Sequence, residues 1–128
     1  MKNTVLNKNL PEIIFITSYP PRECGIATYT QDLIFAIKNK FEKTFNISVC
    51  ALEFKNEKYN YSIEVTYRLE TDNEQSYKKI SQEINNNQAI KMVVVQHEFG
   101  LFKNNEDNFI KFLNQLSKPI IVAFHTVL

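Results

Sequence analysis

Three short stretches hold residues whose types could do chemistry: Arg22-Glu23-Cys24-Gly25, His97-Glu98 and His125-Thr126. A histidine can donate a hydrogen bond or exchange a proton near neutral pH. The chain has two, and each closes an apolar run: His97 after Met92-Val93-Val94-Val95 and Gln96, His125 after Ile120-Ile121-Val122-Ala123-Phe124. Arg22, one of two arginines, can grip a phosphate or carboxylate through two parallel hydrogen bonds. Glu23 and Glu98 can orient a histidine or accept sugar hydroxyls. Each also has a plain alternative: a histidine satisfied by loop carbonyls, a solvated arginine, a solvated carboxylate. Cys24 beside a helix start could ionise more easily than usual, but with no base beside it packing is the simpler reading, and Cys50 reads as core. His97, Glu98, His125 and Cys24 lack the close pairing of known metal ligands, so no metal is expected.

The elements that must carry these residues follow from periodicity. Ile13-Ile14-Phe15-Ile16 is a wholly apolar run, expected as a strand over 12–17 buried on both faces. Tyr19 to Thr28, with Pro20-Pro21 as a rigid turn, then leads into a helix over 26–43 whose stripe is Ile26, Tyr29, Leu33, Ile34, Ile37 and Phe41. The chain has only two glycines, Gly25 and Gly100, where average usage would place about nine. Both fall after strands, where a glycine serves close backbone approach or a positive φ, or merely starts or ends an element.

Downstream, 46–53 reads as a second strand. Ile63, Val65, Tyr67 and Leu69 alternate with Glu64, Thr66, Arg68 and Glu70, which predicts an edge strand with one solvated face. A loop of about nine residues joins the two, short for a parallel crossover, so the third strand's direction stays open. Thr71-x-x-Glu74 has the form of a capping box opening a helix with Tyr77, Ile80 and Ile84 inward and Asn85-Asn86-Asn87 at its end. Met92 to Val95 is the fourth strand. Phe109, Phe112, Leu113 and Leu116 mark a third helix, capped by Asn104 or Asn105 and stopped by Pro119, and Ile120 to Phe124 is the last strand. The alternation predicts an α/β fold with a doubly wound, mainly parallel five-stranded sheet in order 3-2-1-4-5. Its carboxyl edge would gather the three chemical stretches along one crevice, with the amides and dipole at the start of the first helix favouring an anion.

At 128 residues, 44% hydrophobic, 23% charged and net charge +1, the composition fits one domain with a core of its own. No basic run marks a nucleic-acid partner. The polar residues 1–10 read as a loose lead-in without a secretory signal, and no stretch is long and apolar enough to span a membrane, so a cytoplasmic location is expected. The two cysteines suggest neither a disulfide framework nor a thiolate metal site. The last strand is uncharged and, as an edge with no helix after it, would be a liability. That suggests a domain cut off in mid-fold and prone to edge-to-edge self-association.

Tyr19-Pro-Pro-Arg-Glu-Cys-Gly-Ile-Ala-Thr-Tyr-Thr-Gln-Asp-Leu33, Gln96-His-Glu-Phe-Gly-Leu-Phe102 and Lys118-Pro-Ile-Ile-Val-Ala-Phe-His-Thr-Val-Leu128 together resemble the amino-terminal domain of family 4 retaining glycosyltransferases, enzymes with two facing Rossmann-like domains. The resemblance implies that 11–128 form the acceptor-side domain, and that the domain holding the nucleotide-sugar, with its Glu-x7-Glu motif, is absent. It implies a nucleotide-sugar co-substrate, a sugar or lipid-linked acceptor, and no cofactor bound by this chain. Gly25, Ile26 and Arg22 would face the donor diphosphate, His125 the transferred sugar, and Glu23, His97, Glu98, Gly100 and Thr126 the acceptor cleft. Other branches of the family have a glycine-rich first loop where this chain has Pro-Pro-Arg-Glu-Cys-Gly. The alternative is a stand-alone, non-catalytic α/β binding or interaction module. A flavodoxin-like version would show a Ser/Thr-rich first loop or an acidic pocket, and neither is present.

Overall fold

Two of the apolar runs, Ile13 to Ile16 and Met92 to Val95, become inner strands of a single sheet, and the last, Ile120 to Phe124, becomes its edge. The computed structural model describes residues 9–125, and along them run β1 (Glu12–Thr17), α1 (Gly25–Lys40), β2 (Asn46–Glu53), β3 (Val65–Glu70), α2 (Glu74–Asn86), β4 (Ile90–His97), a 3-10 turn (Phe99–Leu101), α3 (Glu106–Gln115) and β5 (Ile120–Phe124). The strands lie in the order β3-β2-β1-β4-β5, every neighbouring pair parallel. This is a Rossmann-like α/β sheet of the expected order. β3 is parallel to β2 although only residues 54–64, without a helix, connect them. Among the described residues no helix is long and apolar enough to cross a membrane.

Strand alternation divides the core in two. On one face Ile14, Ile16, Leu52, Val93 and Val95 meet Tyr77, Ile80 and Ile84 of α2 and Phe109 and Phe112 of α3. On the other, Phe15, Tyr19, Val49 and Ala51 meet α1 through Ile34. Two helices thus cover the first face and one covers the second. Each large side chain fully buried on the two-helix face, such as Phe112, contributes about 1.5–3 kcal/mol.

Four local expectations are corrected. The buried side of α1 is Ala27, Thr30 and Ile34, while Tyr29 and Phe41 are about half exposed. The small residues let the helix approach β1 closely enough for Thr17 Oγ1 to donate to Thr30 Oγ1 at 3.2 Å, and Tyr29 is left on the flank. The start of α2 is capped by Asn73, whose Oδ1 accepts from Gln75 N–H at 3.1 Å. Thr71 does not cap: its N–H continues the sheet ladder to Glu53 O at 2.9 Å, and its buried Oγ1 has no hydrogen-bond partner. The solvated alternation of β3 fails at its start, where Ile63 is exposed and Glu64 buried. A register shift between β2 and β3 at Val49/Cys50 and a hydrogen bond from Tyr19 OH to Glu64 Oε2 at 2.7 Å account for this. Finally, α3 ends at Gln115, ahead of Pro119. Asn85 of α2 stops it, donating to Gln115 O (2.7 Å) and accepting from Ser117 N–H (2.8 Å).

Candidate functional site at the carboxyl edge

The connection from β1 to α1 is held from within. Ser18 and Tyr19 are fully buried, and Arg22 N–H closes a turn onto Tyr19 O at 3.1 Å around the cis Pro20–Pro21 bond. Burial, reinforced by the Glu64 hydrogen bond, pushes the Tyr19 hydroxyl well above its ordinary range. Burial also works against the Glu64 carboxylate, but hydrogen bonds, Tyr19's foremost, hold it below its usual value. Cys24 is the N-cap of α1: its Sγ accepts from Ala27 N–H at 3.4 Å and stands 3.1 Å from Ser18 Oγ. The thiol is therefore a capping group in a polar cluster under the helix start. No acidic residue lies in the first turn, so nothing in the helix itself offsets the positive end of its dipole.

Arg22 does not point at that helix start. Its guanidinium lies over the Phe54 ring, 5.0 Å from the centroid, and donates to Leu52 O at 3.2 Å, at the end of β2. Glu23 is exposed beside it. Gly25 has no positive φ, and a methyl group placed on it would meet nothing within 4 Å. The fold itself does not require a glycine there, and the space before it is open. Ile26 is half-buried.

The two histidines do not share one crevice. His97 follows the parity of Val93 and Val95 onto the two-helix face, where it is 4% exposed. It stacks on Phe102 (centroids 5.3 Å apart, planes 9° from parallel) and touches Phe99, Phe109 and Phe124 at 5.2–5.3 Å. Its Nδ1 is buried without a hydrogen-bond partner. Burial in this cage holds the imidazole below its ordinary value, against the pull of the Glu106 and Glu98 carboxylates.

His125 turns onto the α1 face, where its Nε2 is 2.7 Å from Gln96 Oε1 and its ring meets Tyr29 edge-on at 5.7 Å. In the tautomer in which Nε2 donates to Oε1, Nδ1 of the ring is left as an acceptor. One backbone bond, His125 N–H to His97 O at 2.8 Å, ties the strand ends together. Glu98 is half-buried and begins the 3-10 turn, and a side chain at the exposed Gly100 would crowd Glu98 Oε1 at 3.3 Å. Thr126 lies outside the described residues.

In the sequence Tyr29 stands out only as part of the helix stripe and Gln96 only as the start of a motif, although Gln96 is a polar residue closing an otherwise apolar strand and such a residue needs a partner. Among the described residues no three His, Cys, Asp or Glu side chains are grouped closely enough to hold a metal ion. Comparison with protein-family models, curated proteins and solved structures gives no match.

Proposed function

We propose that this chain is the acceptor-side, amino-terminal part of a retaining glycosyltransferase that moves a sugar from a nucleotide-sugar to an acceptor. One observation carries the reading: beside the open start of α1, Gln96 holds the His125 ring through Nε2 while Tyr29 meets it edge-on. In this reading Nδ1 of His125 receives a hydroxyl of the transferred sugar, Gln96 and Tyr29 position the ring, and the open space before Gly25 admits the donor diphosphate to the amides of α1. His97 then supports the strand ends from behind, and Arg22 braces the first loop against β2. The resemblance in the three edge motifs supports the same assignment, and 126–128 extend the last of them.

The test uses the complete translation product of the reading frame, a panel of nucleotide-sugars and simple glycoside acceptors, with nucleoside diphosphate release as the readout. Acceptor-dependent release that falls about 100-fold in His125→Ala, with the circular dichroism spectrum unchanged, is the expected result. Release that His125→Ala leaves intact, or none with any donor, would overturn it.

A further inference from the structure

Away from the histidines, the carboxyl ends of β2 and β3 and the start of α2 enclose a polar groove of about 350 Å³, lined by Glu53, Lys58, Arg68, Glu70, Ser76 and Lys79 among others. Its floor is a built ionic cluster. Glu53, 1% exposed, accepts from Tyr61 OH at 2.9 Å and from Lys58 Nζ at 3.2 Å, and the same Lys58 ammonium also contacts the Glu70 carboxylate. Glu70 further accepts from Asn73 Nδ2 at 2.7 Å. One ammonium thus serves both carboxylates, and Lys58 bonds, foremost among the causes, hold Glu70 below its ordinary range.

The remaining cations are different. Among the described residues neither Arg68 nor Lys79 pairs with a carboxylate. Arg68 is nonetheless held in place, its guanidinium lying over the Tyr61 ring at 5.1 Å while Tyr61 is anchored to Glu53. A second hollow of about 430 Å³ along β3 and α2 adjoins the first and shares Arg68 and Lys79 with it. In the first groove three cations, Lys58, Arg68 and Lys79, stand with two carboxylates, Glu53 and Glu70, and the second hollow adds Glu83.

From this we infer that the groove binds a small polyhydroxylated molecule bearing one anionic group. The anion sits between Arg68 and Lys79, since a pre-oriented guanidinium offers a planar fork to phosphate or carboxylate. The hydroxyls reach Glu70, Asn73, Gln75 and Ser76, which supply both donors and acceptors. A hexose phosphate and a hexuronate share this chemistry.

The experiment is a nitrogen-15 NMR titration of the 128-residue chain with glucose phosphate, glucuronate, glucose and inorganic phosphate at millimolar concentrations. The expected result is movement of the Arg68 amide and the 73–76 amides by one or both anionic sugars, bound about tenfold more tightly than glucose or inorganic phosphate. The stronger of the two identifies the anion. Arg68→Ala is expected to remove that preference, and Lys79→Gln, on an exposed helix position that cannot unfold the chain, to weaken it. No movement at these amides overturns the inference. So does inorganic phosphate or glucose binding as well as the anionic sugars, or binding that neither variant changes.

Discussion

His97 and His125 stand on adjacent strands at one sheet edge, each at the end of an apolar run, and their surroundings are opposite. His97 is closed in by four phenylalanines with an orphaned nitrogen. His125 has a defined hydrogen-bond partner and one aromatic neighbour on a half-exposed flank. Parity decides the difference. An imidazole on the two-helix face is sealed by α3 and the 3-10 turn, whereas one on the α1 face meets a single helix that lies over β1 and β2. The same residue type at the same edge is a packing group on one side and a partly exposed, hydrogen-bonded ring on the other.

The comparison can be broken most forcefully through packing. Phe102, fully buried and 4.2 Å from the Phe109 ring, should cost about 3–5 kcal/mol on truncation to alanine. Tyr29→Ala, beside His125, should cost less than about 1 kcal/mol because the ring is half exposed. Urea unfolding of both variants measures the contrast, and equal losses would erase it. Next in size is Tyr19→Phe, which leaves the buried Glu64 carboxylate without its donor and should cost about 1.5–3 kcal/mol by the same measurement.

A third effect depends on pH. The folded state holds His97 below its ordinary value of 6.5, so as pH falls the unfolded chain takes up the proton first. Its contribution to stability is present above about pH 6.5 and is lost as pH falls toward the lower folded value. Urea midpoints between about pH 7.5 and 5.5 should therefore fall less in His97→Phe than in the parent. An unchanged slope would show that another group carries the acid sensitivity. The smallest effect is expected at Gly25→Ala: with open space and no positive φ, stability should change by less than about 1 kcal/mol. In the proposed reading the same variant impairs donor use, a split visible as raised KM at unchanged urea midpoint.

Much of this was legible in the sequence because inner parallel strands are apolar on both faces. β1 and β4 follow from that pattern, and the order of the sheet, with β5 at its edge, from the alternation of strands and helices. What was not legible arose where two local signals competed. Thr71-x-x-Glu74 has the form of a capping box, but the helix starts at Glu74 and the residue before it, Asn73, caps it through Oδ1 to Gln75 N–H. Glu64 reads as a solvated position by alternation, but a register shift and the Tyr19 hydroxyl bring it inside. The stripe of α1 was drawn through its large residues, whereas the close approach runs through Ala27 and Thr30. At the candidate site, proximity of the three motifs was readable and the face each side chain takes was not. Arg22 turned toward Phe54, and His97 went under the aromatic cage.

Acylation of the native chain's histidines with a small electrophile at neutral pH, followed by peptide mass spectrometry, tests the division between the two edge residues most directly. His125 should be modified first, while His97 stays unmodified until the chain unfolds. Modification of His97 in the folded chain at a rate matching or exceeding that of His125 would contradict the placement of the two rings and, with it, the choice of His125 as the residue facing substrate.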